Sequence, residues 1–390
     1  MITVDEALAH LFSLVSPLEP ETVPLREAHG RVLAQDAEAR RDQPPFDASS
    51  MDGYALKASE AASGASFEII GESAAGHGFA GTVGAHQAVR IFTGAPVPKG
   101  ADKVVIQEDV TRDGDRITLG DRLEDKPNIR PRGDDFRVGD RIKAPRLLSP
   151  EDVALLASMN VAEVTVTRKP KVALIATGDE LVMPGEDPGP DQIIASNSFG
   201  LCALLDTLGA EPRMLPIAGD TRVALETAFD LAKGADLVVT IGGASVGDHD
   251  LVGAVAGDLG MERSFYKVRM RPGKPLMAGR MGEAAMLGLP GNPVSAMVCG
   301  HIFMAPMIRA MQGLGAHPAP RLSARLAAAM GPGGPREHYM RAQVENGTIL
   351  PERSQDSGML SVLARANALL IRPADDAPRA QGDRVDYVPI

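Results

Sequence analysis

The sequence has no tryptophan, four tyrosines, ten phenylalanines and only two cysteines among its 390 residues. So few aromatic side chains leave little for nucleobases to stack on. A formal net charge of −11 also opposes the basic face that nucleic-acid binding needs, so no nucleic-acid partner is expected. Cys202 and Cys299 fit no metal or redox spacing, and two thiols in so long a chain suit a reducing compartment. No apolar run reads as approaching membrane-spanning length. The opening "MITVDEALAHLFSLVS" has neither the basic flank nor the small-residue cleavage site of a leader. The expectation is a cytoplasmic protein without membrane association.

What is present is a globular composition, 44% hydrophobic and 23% charged, in a chain long enough for two or three domains or more. Val4, Leu8, Leu11 and Val15 follow helical spacing behind a Thr3/Glu6 capping pattern. Between about 44 and 137, short β-like runs ("FEII", "AVRIFTG", "KVVIQEDV", "RITLG") alternate with Gly and Asp turns. "LLSPEDVALLASMN" then predicts a helix capped by Ser149 with Pro150 in its first turn, followed by a strand, "AEVTVT". If that helix packs beside the N-terminal one, the β region is an insertion, giving a discontinuous first domain (1–43 and 138–168) around a β domain (44–137).

From 169 to 317 strands and helices alternate: "KVALIAT", helix 198–208, "RMLPI", helix 221–232, "DLVVTIG", a helix from about 250, "FYKVRM", "AAMLGL" and helix 294–311. Continuous apolar strands between helices argue for a doubly wound, mostly parallel sheet covered on both faces. In 318–390, Asn346-Gly347 marks a hairpin and "RVDYVPI" a strand, predicting a small β-barrel-like domain. The fold class is multidomain α/β, with two small β domains and a helix-containing linker domain.

In such sheets ligands bind beyond the carboxyl ends of the strands. Those ends carry "TGDE" from Thr177, "AGD" to Asp220, "GGASVGDHD" from Gly242 to Asp250, "RMRPGKP" and "LPGNPVS". Each alone is explained by a turn or a cap; five at one edge predict a ligand crevice. Gly242, Gly243 and Ser245 offer close backbone approach and a hydroxyl to an oxyanion, without the spacing of a P-loop. Lys267, Arg271 and Lys274 are candidates for neutralising phosphate, or a solvated basic hairpin. Glu180, Asp220 and Asp250 are oxygen ligands of the type that suits Mg²⁺, or helix caps. Asn292 and Pro293 read as N-cap and first helical residue.

The segments "PPFDASSMDGYA", "VRIFTGAPVPKGADKVV", "NIRPRGDD", "RKPKVALIATGDELV", "GGASVGDHD", "KVRMRPGKPL" and "GLPGNPVSA" resemble, in order and spacing, the molybdopterin molybdenumtransferase family, which includes the C-terminal domain of gephyrin. The likeness runs on to "SGMLSVLARANALLIRP" and covers nearly the whole chain. It implies an elongated four-domain subunit whose third domain has the molybdopterin-binding fold, and a homodimer. The implied reaction inserts molybdate into adenylylated molybdopterin with Mg²⁺ present, releasing AMP and molybdenum cofactor. The implied cleft lies between the third domain of one subunit and the second of its partner. Asp52, Thr93 and Asp135 match functional positions of the second domain; Glu180, Asp220, Asp250, Lys267, Pro290 and Pro293 match those of the third.

The resemblance and the residue chemistry together nominate Asp52, Glu180, Asp220 and Asp250 as catalytic, and Asp250 with Glu180 as Mg²⁺ ligands. Arg271, Lys274 and Ser245 are nominated to receive molybdate. The adenylyltransferase of the preceding step and the acceptor molybdoenzymes are further candidate partners. Ala48 stands where the family usually has Asn, Arg271 where it usually has Lys, and "RGDD" replaces the common "RGED", shortening Asp134. Two alternatives stay open: the adenylyltransferase itself, usually the doubly wound domain alone, and a gephyrin-like scaffold. The residues outside the doubly wound domain count against the first. The absence of a fused adenylyltransferase domain or a long linker counts against the second.

Overall fold

The computed structural model describes residues 1–243 and 251–390. The apolar strands Lys171–Ala176, Leu237–Ile241 and Ala284–Leu289 lie side by side, all parallel, in the middle of a six-stranded sheet. Glu211–Met214 borders one side in parallel; Met277–Met281 and Glu262–Tyr266 complete the other through antiparallel pairs. Alternation along each strand feeds two cores. Val172, Leu174, Val239 and Leu287 face a layer holding helices Val4–Ser13, Asn197–Thr207 and the start of the 293–311 helix. Ala173, Ile175, Val238 and Met286 face helices Arg222–Leu231 and Leu251–Asp258.

Three sequence expectations need correction here. "FYKVRM" is not one strand. The chain turns at Lys267, which has a left-handed φ of 74°, and Met270–Arg271 pairs instead with Glu337–His338 of the C-terminal barrel. The predicted strand "RMLPI" starts earlier, at Glu211, because its register with Lys171 to Leu174 begins there. The 293–311 helix is long and apolar enough to cross a membrane by length and composition, contrary to the reading of the apolar runs. It is instead a core helix, 83% of its apolar stretch buried inside the protein, as expected of a helix apolar on all sides.

The two helices flanking the β region do not share a core. Val4, Ala7, Leu8 and Leu11 pack into the doubly wound body, whereas Leu156 and Met159 pack with Val23, Leu33 and Val166. What joins the two flanks is a four-stranded antiparallel sheet, ordered Pro20–Pro24, Glu163–Thr167, Val32–Leu33, Arg146–Leu147. Arg168 ties this unit to the doubly wound sheet, donating two 2.7 Å bonds to Asp236 and one to Glu19. The Thr3/Glu6 capping box forms, and the expected N-cap Ser149 forms a second box with Asp152.

The β region holds a six-stranded sheet. One of its inner strands, Gly53–Leu56, begins inside the segment "PPFDASSMDGYA". At the C-terminus five strands close on themselves: Leu322–Leu326, Arg384–Pro389, Ala368–Arg372, Glu337–Glu345 and Thr348–Pro351. Asn346 (φ 48°) and Gly347 (φ 75°) form the two-residue hairpin turn, both left-handed as a type I′ turn requires.

Candidate active site

The register of the parallel strands sets the site. Ala176, Ile241 and Leu289 are neighbours across the sheet, so the next residues, Thr177, Gly242 and Pro290, form a row at its carboxyl edge. The ladder runs one step further: Thr177 N donates to Ile241 O (3.0 Å), and Gly242 N to Leu289 O (3.1 Å). Gly178 N donates to Ala218 O (3.1 Å). Above this row opens a cavity of about 610 Å³. Thr177, Glu180, Asp220, Gly242, Gly243, Pro290 and Pro293 all line it.

Two glycines are required by close approach. A Cβ on Gly242 (φ 94°) would come within 2.8 Å of Thr177 O, and one on Gly243 (φ 64°) within 2.2 Å of Val252 Cγ2. The exposed Glu180 carboxylate folds back over Gly178, where a Cβ would lie 2.2 Å from Oε2. Asp220 N is held by Asp179 Oδ1 at 2.9 Å. Helices Asn197–Thr207, Leu251–Asp258 and the one starting at Pro293 all begin at residues lining the cavity. Their N-terminal dipole ends favour an anionic ligand.

Asn292 is the N-cap by position, but its side chain makes no capping bond. Nδ2 donates instead to Ser357 Oγ of the C-terminal barrel at 2.9 Å, while Val294 N donates to Ser357 O at 3.0 Å. Asn197, which the sequence reading passed over, donates from Nδ2 to Gly291 O at 2.7 Å, holding the "LPGNP" loop to the first turn of its own helix. A short parallel ribbon, Leu181–Val182 with Ile193–Ile194, forms a further wall.

The basic residues fall elsewhere. Lys267, Arg271 and Lys274 are not among the cavity-lining residues, although Pro275 is. Lys267 Nζ sits 5.2 Å from the Tyr266 ring centroid. Arg271 lies beside His338, and its charge bears on both His338 and Arg341. Arg341 is 0% exposed; Nη2 donates to Asp356 O at 3.0 Å, but Nε and Nη1 are buried without a partner, as is His338 Nε2. Burial, then the Arg271 charge, lowers the Arg341 pKa. Sequence reasoning missed Arg341 and His338. One signal was available: Arg341 stands in the same strand phase as the buried Tyr339, where an apolar residue is expected.

Asp52, Thr93 and Asp135 lie apart from the cavity lining. Asp52 Oδ1 accepts from Thr93 N (2.7 Å) and Oγ1 (2.8 Å). These two bonds, N–H first, hold its carboxyl below the usual carboxylate range, and the Arg90 charge adds to them. The Arg90 guanidinium is 5.1 Å from the Tyr54 ring centroid and 4.7 Å from that of Phe92. The turn carrying Asp135 joins the same corner, since Arg132 N donates to Asp47 Oδ1 (2.8 Å) and Ile129–Arg130 pairs with Ala48–Ser49. Three β-region motifs thus form one polar corner. Ser245 and Asp250 lie outside the described residues.

Comparison with known proteins now bears on this architecture. Residues 2–160 match the MoeA N-terminal region (domain I and II), 173–310 a probable molybdopterin binding domain, and 323–390 the MoeA C-terminal region (domain IV). Molybdopterin molybdenumtransferase of Nostoc sp. is 34% identical over 405 residues, covering 99% of this chain and 93% of that protein. Molybdopterin molybdenumtransferase 2 of Mycobacterium tuberculosis is 35% identical over 403 residues, covering 99% and 98%. A crystal structure of molybdopterin biosynthesis MoeA protein from Pyrococcus horikoshii OT3 superposes with a TM-score of 0.86 at 28% identity, covering both chains fully. With three successive regions matched in order and relatives of this identity spanning almost its full length, the chain belongs to the molybdopterin molybdenumtransferase (MoeA) family.

Proposed function

We propose that this chain inserts molybdenum into adenylylated molybdopterin, taking up molybdate and releasing AMP and molybdenum cofactor. The observation that carries the reading is one juxtaposition. An oxyanion-friendly cleft at the sheet's carboxyl edge is bonded, through Asn292 and Ser357, to the chain segment that holds Arg341 through Asp356. The cleft suits the pterin phosphates: the side-chain-free approach at Gly242 and Gly243 and the helix N-termini orient anionic groups with little reorganisation. The guanidinium nitrogens of Arg341, with Arg271 and Lys274, suit a tetrahedral dianion, because charge-assisted N–H···O bonds satisfy donors that the protein leaves unpaired. The dithiolene sulfurs of the pterin are the metal's ligands in this reading.

Mg²⁺ fits the donor set. Among the described residues no three metal-ligating side chains cluster, but Mg²⁺ needs only one or two carboxylates beside substrate phosphate. Glu180 and Asp220 both line the cleft, with Asp250 as the further candidate. The ion would stabilise negative charge on the departing AMP phosphate. Glu180 and Asp220 would hold the cation beside the substrate phosphate.

A homodimer with a cleft shared between subunits, working in the cytoplasm, completes the proposal. The preceding adenylyltransferase and the acceptor molybdoenzymes would be its partners in turn. The test is incubation of purified chain with adenylylated molybdopterin, Mg²⁺ and molybdate. AMP and molybdenum cofactor should form together, in equal amounts. Consumption of ATP with free molybdopterin, and no AMP release, would instead assign the adenylylation step.

A further inference from the structure

We propose that Gln355 is a positioning residue for oxyanion binding: its side-chain amide clamps the backbone of Arg341 and so aims the Arg341 guanidinium before the ligand arrives. This rests on the reading that Arg341 receives molybdate.

The argument begins where the barrel's hairpin runs out. Strand Glu337–Glu345 pairs with Thr348–Pro351 only as far as Ala342, which lies opposite Pro351. Arg341 is the next residue along. Glu352 N donates to Arg341 O at 2.9 Å, but Arg341 N turns to a side chain and donates to Gln355 Oε1 at 2.9 Å. Gln355 Nε2 donates in return to Arg341 O and to Glu352 O, both at 2.9 Å. A side-chain amide carries the donor and acceptor of a peptide group, so Gln355 extends the ladder by one step. Its oxygen and its amide nitrogen are both engaged.

The residues after Gln355 carry this constraint outward. Asp356 O accepts from Arg341 Nη2 at 3.0 Å, and Asp356 Oδ1 accepts from Gly358 N at 2.8 Å. Ser357 Oγ accepts from Asn292 Nδ2 at 2.9 Å, and Ser357 O accepts from Val294 N at 3.0 Å, in the first turn of helix 293–311. One amide therefore fixes both ends of a short span. At one end is the guanidinium whose Nε and Nη1 are buried without a partner; at the other is the rim of the cleft, where Asn292 and Pro293 stand. Donors aimed in advance bind an oxyanion without reorganising, and a misplacement of about 1 Å costs on the order of 10²-fold. Linkage makes the coupling reciprocal: whatever factor the closed clamp adds to molybdate affinity, molybdate adds to the stability of the clamp.

The experiment is steady-state molybdenum insertion by Gln355→Met, which keeps the apolar stem and removes all three bonds. KM for molybdate should rise on the order of tenfold to a hundredfold. The kcat at saturating molybdate and the KM for adenylylated molybdopterin should stay near wild type. In the wild-type chain, where no variant has to fold, hydrogen exchange at Arg341 N should slow when molybdate alone is added. A Gln355→Met protein that melts lower but keeps the wild-type KM for molybdate makes Gln355 a seal of the sheet edge and overturns the proposal. A fall in kcat with that KM unchanged does the same, as does exchange at Arg341 N that bound molybdate leaves unaltered. Failure of the wild-type chain to bind molybdate in calorimetric titration, or binding unchanged in Arg341→Met, overturns instead the underlying reading of Arg341.

Discussion

A guanidinium at 0% exposure with two unpaired nitrogens is a burden that its own packing does not offset. Arg372 shows the alternative in the same barrel, since its Nε bonds Asp376 and its Nη2 bonds the carbonyls of Gly331 and Ala377. Arg341 is therefore expected to be retained for binding at the expense of stability. Arg341→Met keeps the length and apolar bulk of the side chain and removes the unmade bonds, each costing about 1–3 kcal/mol. It loses the bond to Asp356 O, on the order of 1 kcal/mol. The variant should unfold at higher denaturant concentration, by about 1–5 kcal/mol, yet need far more molybdate for insertion. A variant both less stable and fully active would make Arg341 a structural residue.

Helix 293–311 contains a π-helical stretch, Gly300–Met304, between two α-helical ones. His301 lies in it, and burial first, then Arg309, push its pKa down to about 4 from 6.5. Below pH 6.5 the unfolded chain binds a proton there that the folded chain refuses. Stability is thus complete above about pH 6.5 and declines as pH falls toward 4. One pK unit corresponds to about 1.4 kcal/mol, so this histidine contributes on the order of 2–3 kcal/mol to the loss. Melting temperature should fall through that window, and His301→Gln should flatten the fall; an unchanged slope would place the sensitivity at other groups. Elements whose signals are local were legible: the strands 171–176 and 284–289, the Asn346-Gly347 hairpin, the Thr3/Glu6 capping box and the Ser149 N-cap. Elements defined by distant partners were not. Gly53–Leu56 is a strand because Gln87–Ile91 and Lys103–Ile106 flank it, and Asn292 abandons its cap because Ser357 is within reach. The site divides in the same way. Thr177, Gly242 and Pro290 follow from the general rule about sheet edges, whereas the pairing of Arg271 with His338, on the strand that carries the buried Arg341, has no local signal.

At the scale of the molecule, the polar corner around Asp52 and the cleft around Glu180 occupy different parts of one chain, and no residue of the corner lines the cavity. If a second copy supplies the corner, inactive Asp52→Ala and inactive Glu180→Ala proteins should regain activity on mixing. Random exchange leaves half the molecules as heterodimers, each with one intact cleft, so about a quarter of wild-type activity should return. Verified subunit exchange without recovery would mean that the cleft works within a single chain. The turn at Lys267 has a further consequence, for where this protein can be cut. Met270–Arg271 leaves the doubly wound sheet and adds a short parallel strand to the closed barrel beside Glu337, so a seam drawn at 318 separates the barrel from a strand paired to it. A fragment made there would carry unpaired backbone at the start of its longest strand, an open edge that invites pairing with other chains. For recombination or domain grafting, the doubly wound region and the barrel form one indivisible cassette, its joint lying some fifty residues upstream of the apparent boundary.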